Sequence, residues 1–331
     1  MNEKYLLLKG CAGLGNRIFS ILNALEYCKS NNRKLVVDWS DGQFGRKGIN
    51  VFPNYFRIND ECYYDGPIEK IYDIQDCNPM SWKNKLSLSI YDLYEDGSPS
   101  FLVKQLPSVF FNNNFKNRLN NLWIKKHKKN QTNKFNIKDI LDRDNMTFGH
   151  LLSNNLNNEL IIYADFIPHV KKIGLIDKLQ LNISLVNEIN DWSNKYALSK
   201  NYIGLHIRYS DKKPNKRIDL LISFIQNNYG DHPIYLATDN KEIENVFRKE
   251  FSNLISYPKN IPDEVAGRGI HMWGIDNSDE KYKTNMLKES IVDMWMLSKC
   301  EMLFFQGNSS FSRISRLLHS DNKKCYDWEK K

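Results

Sequence analysis

The first forty residues alternate between two periodicities, and few folds accommodate that alternation. Residues 5–8 form a short apolar run, which is typical of a strand buried on both faces. Three glycines within residues 10–15 mark a turn, and from Asn16 the apolar side chains recur at helical spacing. Residues 34–39 predict a second strand. This order predicts a βαβ unit with a glycine-rich first turn, and therefore a parallel sheet.

The same alternation returns in the second half of the chain. Apolar runs and helical spacing predict strands at residues 202–208, 233–238, 254–257 and 302–305, and helices at residues 185–196, 218–225, 241–251, 285–299 and 310–318. A long loop is predicted over residues 258–283. The middle of the chain, about residues 42–165, is less regular, with strands predicted at residues 101–103 and 160–163.

The length of 331 residues suffices for two domains at roughly 100–200 residues each. The two stretches of regular alternation predict two α/β units, residues 1–170 and 171–331, with a linker near residues 165–182 around Pro168. The fold class predicted from the pattern is therefore α/β, with a parallel sheet in each unit.

Composition excludes several classes of protein. Hydrophobic residues make up 41% of the chain and charged residues 26%, which argues against wholesale disorder. Six scattered cysteines contain no CxxC pair, so a zinc ribbon or a disulfide scaffold is not expected. No apolar run approaches the ~18 residues of a membrane span, and the amino terminus lacks a signal-peptide pattern. We therefore expect a cytoplasmic protein with reduced thiols.

A net charge of +8 is compatible with nucleic acid, an anionic membrane surface or an anionic small substrate. The densest basic run, residues 125–129, is interpreted as a solvated loop or helix end. No helix-turn-helix, RNA-recognition or zinc-finger signature is present, so a nucleic-acid partner is not expected. Membrane contact is expected to be peripheral at most.

Polar residues follow three predicted strands of the second unit. They are Arg208–Asp211, residues 238–240 and residues 306–310. Carboxyl ends of parallel strands meet at one edge of a sheet, where ligands of such folds bind. A helix start at Ser309 and Ser310, together with a planar guanidinium, suits a phosphorylated ligand that carries hydroxyl groups. Ser309 as a plain helix cap and Arg208–Asp211 as a structural ion pair remain open alternatives.

His206 shares a strand face with Arg208, because side chains alternate along a strand. Its neighbours at residues 203–207 are otherwise apolar, and a lone histidine in such a run is more often a satisfied core residue than a ligand-binding one. No group of histidines, cysteines or carboxylates has metal-ligand spacing, and no metal is expected.

The glycine turn also allows a dinucleotide-binding hypothesis. Asp38 ends the second strand, where an acid that binds ribose would lie. However, residues 10–15 have the pattern GxxGxG, which is the reverse of the dinucleotide fingerprint GxGxxG. An NAD(P)-linked oxidoreductase is therefore a second hypothesis, and the glycine spacing counts against it.

Four ordered segments resemble motifs of the NodZ-like bacterial α-1,6-fucosyltransferases. They are GLGNRIF with LVVDW at residues 13–39, IGLHIRYSDK at residues 203–212, YLATD at residues 235–239, and ESIVD, LSKC and a serine pair across residues 289–310. The wider superfamily includes α-1,2- and protein O-fucosyltransferases. The resemblance implies a GT-B arrangement, in which two Rossmann-like domains face each other across a cleft. It also implies inverting, metal-independent transfer from GDP-fucose to a glycan, with the acceptor on the amino-terminal side.

The resemblance also implies a set of donor-binding residues. By matching position they are Gly15, Asn16, Arg17, His206, Lys212, Asp239, Asp293, Ser309 and Ser310. In this scheme His206 and Asp293 hold guanine, and Arg208 binds the departing β-phosphate.

Two positions depart from the family pattern. Tyr209 replaces the second arginine of the HxRRxDK motif, and Lys216 stands near the family's downstream carboxylate. Asp211 or Asp219 is then the candidate catalytic base. These departures leave open another linkage, another GDP-sugar, or a homologue that binds without transfer.

The acceptor implied by the resemblance is an oligosaccharide or a polysaccharide. Aromatic side chains of the middle segment are candidates either for stacking on sugar rings or for packing in the core: Tyr63, Tyr64, Trp82, Tyr91 and Tyr94.

Overall fold

The computed structural model describes residues 3–92, 146–154, 156–166, 168, 174–196, 198, 201–261 and 279–330. The strands are β1 (Tyr5–Lys9), β2 (Lys34–Asp38), β3 (Phe56–Ile58), β4 (Cys77–Asn78), β5 (Leu160–Tyr163), β6 (Leu179–Leu181), β7 (Ile203–Ile207), β8 (Ile234–Thr238), β9 (Leu254–Ile255), β10 (Met302–Phe305) and β11 (Cys325–Asp327). The helices are α1 (Leu14–Asn31), α2 (Phe52–Tyr55), α3 (Glu69–Tyr72), α4 (Phe148–Ser153), α5 (Ile183–Lys195), α6 (Ile218–Tyr229), α7 (Lys241–Glu250), α8 (Glu280–Lys299) and α9 (Ser310–Leu318).

Two parallel sheets organise these elements. The first has the strand order β2-β1-β5-β4, and the second has the order β11-β10-β7-β8-β9. Every neighbouring pair in both sheets is parallel. The central strands are buried along almost their whole length, as expected for sheets covered by helices on both faces. The predicted α/β class with parallel sheets is confirmed.

Strand order fixes where each sheet can bind a ligand. In the second sheet, β7 continues toward β8 on one side, whereas β10 lies on its other side. In the first sheet, β2 and β5 flank β1 in the same way. Such reversals of strand order open a crevice beyond the carboxyl ends of the strands. The segments after β1, β7 and β10 are therefore the ones that the topology favours for binding.

A third, antiparallel pair joins distant parts of the chain. β3 pairs with β6, with Arg57 opposite Gln180. Nearby, the Phe56 ring lies 5.9 Å from the Trp295 ring, and the Tyr55 hydroxyl donates to the carbonyl of Thr284 at 3.2 Å. One buried apolar cluster accordingly includes side chains from both parallel sheets. The division into domains at residues 170 and 171 stays a prediction.

The predicted elements agree with the structure over most of the described chain. All strands predicted from residue 202 onward form, as do the strands at residues 5–8, 34–39 and 160–163. The loop predicted to end at residue 283 ends earlier, because Asp279 caps α8 by accepting from the backbone N–H groups of Lys281 and Tyr282. The predicted strand at residues 101–103 and the basic run at residues 125–129 lie outside the described residues.

The aromatic candidates of the middle segment divide by burial. Trp82 and Tyr91 are buried in the core, and Tyr63 and Tyr64 are partly buried against it. Tyr94 lies outside the described residues. None of the described helices combines the length and the apolarity that crossing a bilayer requires.

Candidate functional site

A cleft lies where the segments after β1, β7 and β8 come together. Counting its open mouth, the empty space within it is about 730 Å³. The described residues that line it are Gly13, Leu14, Gly15, Phe44, His206, Arg208, Ala237, Thr238, Asp239, Lys259, Met286, Ser290, Asp293, Ser310 and Phe311. Six of the predicted site residues are thus in one place: Gly15, His206, Arg208, Asp239, Asp293 and Ser310.

Two helices begin at the cleft, and Gly15 allows their close approach. A Cβ on Gly15 would lie 2.5 Å from the amide nitrogen of Phe311 and 2.5 Å from the carbonyl carbon of Ser310. No side chain fits there without moving the backbone of α9. Residues at the starts of α1 and α9 therefore line the same cleft, and the free N–H groups and the dipole of a helix start favour an anion.

Arg208 follows β7 and holds Asp211 through a two-pronged contact. Its Nε lies 2.6 Å from Asp211 Oδ1, and its Nη2 lies 2.8 Å from Asp211 Oδ2. The backbone N–H of Arg208 donates to the side-chain oxygen of Gln306, which follows β10. The structural ion pair considered from the sequence is therefore present. Arg208 nevertheless lines the cleft with its side chain 15% exposed, so a planar guanidinium is available there.

Asp239 shapes the loop that carries Arg208. Its Oδ1 accepts hydrogen bonds from the backbone N–H of Tyr209 at 2.7 Å and of Ser210 at 3.2 Å. Its Oδ2 accepts from the Ser210 hydroxyl and lies 4.0 Å from the Arg208 Nε. Asp239 therefore positions the loop after β7 while lining the cleft.

His206 is a neutral aromatic wall of the cleft. Burial, followed by the charges of Arg208 and Lys259, lowers the pKa of His206 to about 3. Its ring stacks on Phe311, with ring centroids 5.1 Å apart at an interplanar angle of 25°. Its Nδ1 is buried without a hydrogen-bond partner. A ligand-binding role for His206 stays a prediction.

Among the described residues, four buried polar atoms at the ends of β7, β8 and β10 have no hydrogen-bond partner. They are Nδ1 of His206, Oγ1 of Thr238, Nε2 of Gln306 and Oγ of Ser309. Of these four residues, His206 and Thr238 line the cleft, and because buried polar atoms are nearly always paired in native proteins, these two atoms are candidates to bind a ligand or an ordered water. Ser309 lies just before α9, but its hydroxyl makes no capping bond to that helix. The plain helix-cap alternative for Ser309 is therefore wrong.

A buried ion pair that the sequence did not suggest forms another part of the cleft. Lys259 Nζ lies 2.6 Å from Asp293 Oδ2 and donates to the carbonyl of Thr238 at 2.9 Å. The hydroxyl of Tyr235 donates to Asp293 Oδ1 at 2.6 Å. Burial raises the pKa of Asp293 above its ordinary range, against the opposing effect of Lys259. Lys259 belongs to no sequence motif. Only its ion pair with Asp293, 34 residues further along the chain, identifies it as a residue of the cleft.

Arg17 is not among the described residues that line the cleft. It is buried beneath the glycine turn, where its Nε donates to the Ala12 carbonyl at 3.0 Å and its Nη2 lies 2.5 Å from Asp41 Oδ2. The Tyr91 hydroxyl accepts from the Ala12 backbone N–H at 2.8 Å. Ala12 has a φ of 61°, a strained value for a residue with a Cβ, and these contacts hold it. The predicted place of Arg17 behind Gly15 and Asn16 becomes a supporting one.

Three further predicted residues lie around the cleft without being among its described lining. Asn16 donates to the Phe166 carbonyl at 2.9 Å, which ties α1 to the segment after β5. Lys212 donates to the Asn308 carbonyl at 3.1 Å, which ties the loop after β7 to the loop after β10. Ser309 is fully buried beside Ser310. Asn16 and Lys212 thus tie together segments that form the cleft.

Neither of the two predicted bases is among the described cleft lining: Asp211 lies beside it on Arg208, whereas Asp219 lies elsewhere. It lies in the first turn of α6, with its carboxylate paired to Arg217 and its side chain 55% exposed. The prediction of Asp219 as a catalytic base is therefore not supported by its position. Counting along the sequence could not show this, because α6 begins one residue before Asp219 and turns its carboxylate toward Arg217.

Asp38 does not have the free carboxylate that the dinucleotide hypothesis requires. Its Oδ2 lies 2.6 Å from Lys9 Nζ and accepts from the Tyr72 hydroxyl at 2.9 Å, and its Oδ1 accepts from the Ser40 backbone N–H at 3.0 Å. Burial opposes its ionisation, but Lys9 and Ser40 hold the pKa of Asp38 below its ordinary range. Asp38 is therefore a structural residue.

The cleft combines groups that suit a nucleoside diphosphate. Two helix starts and Arg208 provide positive potential for phosphate oxygens. His206 and Phe311 provide flat apolar surface, and Lys259 with Asp293 provides a donor and an acceptor close together. Among the described residues, no three histidine, cysteine or carboxylate side chains form a group that could hold a metal ion.

No protein-family model and no curated protein matches the sequence. Solved structures, in contrast, match over nearly the whole chain. A crystal structure of NodZ α-1,6-fucosyltransferase soaked with GDP-fucose gives a TM-score of 0.58 at 15% identity, covering 96% of this chain and 93% of that one. The Se-Met fucosyltransferase NodZ from Bradyrhizobium gives 0.58 at 16% identity, covering 96% and 93%. POFUT1 in complex with GDP-fucose gives 0.50 at 10% identity, covering 96% and 95%. The chain therefore has a fucosyltransferase-like fold, as its motifs predicted.

Proposed function

We propose that this fucosyltransferase-like chain is a glycosyltransferase that moves fucose from GDP-fucose to a hydroxyl group of an oligosaccharide or polysaccharide. One observation carries the proposal: Arg208 and the amino termini of α1 and α9 converge on one cleft. The fold around that cleft is similar to that of a NodZ structure soaked with GDP-fucose. We expect the acceptor to enter from the side of residues 1–170.

The reaction breaks the bond between the sugar C1 and the β-phosphate oxygen, and the electron pair leaves with GDP. The acceptor hydroxyl attacks C1 from the opposite face, so that a new C1–O bond forms with inversion, and its proton passes to a base. Negative charge grows on the diphosphate as the bond breaks. Arg208 and the helix N–H groups are placed to stabilise that charge more strongly in the transition state than in the ground state.

Metal independence is part of this proposal. Departing diphosphates are often neutralised by Mg²⁺, which bridges the phosphate oxygens. Here a guanidinium and two helix amino termini supply positive charge from the chain itself.

Asp211 is the proposed base, and its pairing with Arg208 gives it a conditional role. In the structure both of its oxygens bind the guanidinium, so the carboxylate is engaged before an acceptor arrives. A diphosphate in the cleft competes for the same guanidinium. As Arg208 shifts toward the phosphate, the Asp211 carboxylate becomes available to the acceptor hydroxyl.

A second candidate function is binding of a GDP-sugar without transfer. Two observations favour it: Tyr209 replaces an arginine of the family motif, and both predicted bases, Asp211 and Asp219, are paired with arginines. Such a protein would retain the nucleotide site and lack the proton acceptor.

Two experiments distinguish these functions. The first is a thermal-shift measurement with GDP, UDP, ADP, NAD and individual GDP-sugars, and the second is a GDP-release assay with a panel of glycans. Because a ligand that binds only the folded state raises Tm, GDP and GDP-fucose should raise it more than UDP or ADP at equal concentration. A product heavier by one fucose supports transfer. Binding of GDP-fucose with no turnover on any acceptor supports the second candidate. Equal shifts for all nucleotides contradict both, and a shift with NAD alone revives the oxidoreductase hypothesis.

A further inference from the structure

The cleft contains two charged groups of different character. Arg208 follows β7, at the reversal of strand order in the second sheet. Lys259 reaches the cleft from the chain after β9, and β8 lies between β7 and β9. Arg208 and the nearby helix starts are positive, whereas Lys259 and Asp293 compensate each other's charge. A diphosphate suits the first group, and a neutral polar ring suits the second.

Among the described residues, the hydrogen bonds of the ion pair leave one donor of Lys259 and one acceptor position on each oxygen of Asp293 open. An ammonium group has three N–H donors, and among the described residues Lys259 uses two, on Asp293 Oδ2 and on the Thr238 carbonyl. Each carboxylate oxygen of Asp293 receives one hydrogen bond, from Lys259 or from Tyr235, and each oxygen can accept a second. Both residues line the cleft, and both side chains are at least nine-tenths buried. Their unused donor and acceptor positions are therefore placed to bind a ligand in the cleft.

We propose that Lys259 and Asp293 together read a nucleobase edge on which a carbonyl oxygen stands beside a ring N–H, and that Lys259 sets this specificity. The inference rests on the proposed function and deepens its nucleotide site. Guanine presents such an edge at O6 and N1. Lys259 donates to the carbonyl oxygen, and Asp293 accepts from the ring N–H. The family resemblance gives Asp293 a role at guanine and gives Lys259 none.

Polarity makes the pair selective. Adenine presents an amino group and a ring nitrogen with a lone pair at the same two positions. Its amino donor would then face the Lys259 donor, and its ring-nitrogen acceptor would face the Asp293 acceptor. A buried donor or acceptor left without its partner costs more than a good hydrogen bond gains. His206 and Phe311 supply flat walls that suit any purine. Discrimination between guanine and adenine therefore falls to Lys259 and Asp293.

The test uses three diphosphates that share the phosphate groups and differ at the base: GDP, inosine diphosphate and ADP. Inosine diphosphate keeps the carbonyl and the ring N–H of guanine and lacks its exocyclic amine. We expect calorimetry on the wild-type protein to give similar Kd values for GDP and inosine diphosphate, within about fivefold, and a Kd for ADP weaker by about 10–100-fold.

In the variant Lys259→Met, the Kd values for GDP and ADP should differ by no more than about threefold, because the variant lacks the donor to the base carbonyl. Loss of Lys259 also leaves Asp293 buried without its partner, which can unfold the protein. The double variant Lys259→Met with Asp293→Asn removes the pair as a unit and is the folded test. Lys288→Met is the matched control, because Lys288 also forms an ion pair on α8, with Glu188 at 2.8 Å, and is not among the described cleft residues.

The outcomes separate this inference from the proposed function. Loss of discrimination in the folded variants, with the control unchanged, supports it. An unchanged ratio in the double variant, or inosine diphosphate that binds as weakly as ADP, overturns the inference and leaves the GDP-sugar function standing. A wild-type protein that binds none of the three diphosphates overturns both.

Discussion

Asp211 occupies both hydrogen-bonding nitrogens on one side of the Arg208 guanidinium, at 2.6 Å and 2.8 Å. The proposed stabiliser of the leaving group and the proposed base are thus partners before any ligand binds. In the proposed reaction, the diphosphate of the donor attracts Arg208 away from Asp211. The acceptor hydroxyl then approaches the released Asp211 carboxylate. The two residues can therefore be tested separately and then against each other.

Arg208→Ala should lower kcat by roughly 10²–10³, the usual effect of removing one preorganised donor to a developing negative charge. Arg208→Lys should restore only part of the rate, because an ammonium keeps the charge without the planar fork. Steady-state kinetics and circular dichroism melting on the same preparations check this. Arg217→Ala is the matched control, since Arg217 makes a similar paired contact with Asp219 on the surface. An Arg208→Ala protein that melts much earlier but keeps its kcat would show that the residue is structural.

Asp211→Asn should lower kcat by about 10², near the lower end of the range for general base catalysis. Asp219→Asn should change kcat less than about twofold, since surface substitutions away from a site have small effects. Profiles of kcat against pH for both variants distinguish them. The assignment fails if Asp219→Asn is the slower enzyme.

Gly15→Ala should lower both stability and nucleotide affinity. Its added Cβ would lie 2.5 Å from the backbone of Ser310 and Phe311, so that α1 and α9 must separate. Overpacking of this kind costs about 1–3 kcal/mol of unfolding free energy. Urea unfolding and GDP titration measure the two effects. Gly174→Ala serves as the control, because no atom lies within 4 Å of a Cβ built there. Equal behaviour of the two variants would contradict the close contact.

Stability should fall on acidification through His206. The pKa of His206 is about 3 in the folded protein and about 6.5 when unfolded, so the unfolded state binds the extra proton between these values. The contribution of the neutral residue is full above pH ~6.5 and declines toward pH ~3, by at most about 1.4 kcal/mol per pH unit. Urea unfolding at pH 7.5 and pH 5 should show a smaller difference for His206→Gln than for the wild type. Identical differences would place the acid sensitivity elsewhere.

Transfer should survive excess EDTA, because Arg208 and the helix starts supply the positive charge that the leaving diphosphate needs. The measurement is GDP release with and without EDTA, after dialysis of the protein against the chelator. Loss of activity that returns with Mg²⁺ or Mn²⁺ would show that a metal participates.

Local pattern predicted much of this fold. Strands such as β1 and β7 are short apolar runs that only a doubly covered sheet accommodates, and the turn after β1 needs its glycines. The rule that ligands lie beyond carboxyl ends placed Arg208, Asp239 and Ser310 correctly in one cleft. Family motifs added His206 and Asp293.

What sequence reasoning missed depends on contacts between distant residues. β3 and β6 have three residues each, too few for a periodicity, and they form because they pair across the chain. Lys259 lies in a loop and gains its meaning only from Asp293. Arg17 occupies a motif position, yet Asp41 and the Ala12 carbonyl draw it under the turn. Side-chain pairing is decided by packing that no local spacing encodes.

The apolar cluster shared by the two sheets has a mechanical consequence. Phe56 and Trp295 are in ring contact across it, and Leu6 and Leu303 from the two sheets are both fully buried within it. Rotating one sheet away from the other would expose this interior to water at about 25 cal/mol for each Å². A wide hinge motion is therefore costly, and a nucleotide must enter through the existing mouth. The two halves should consequently melt as one cooperative unit, so that a ligand bound beside β7 protects β1 from unfolding as well.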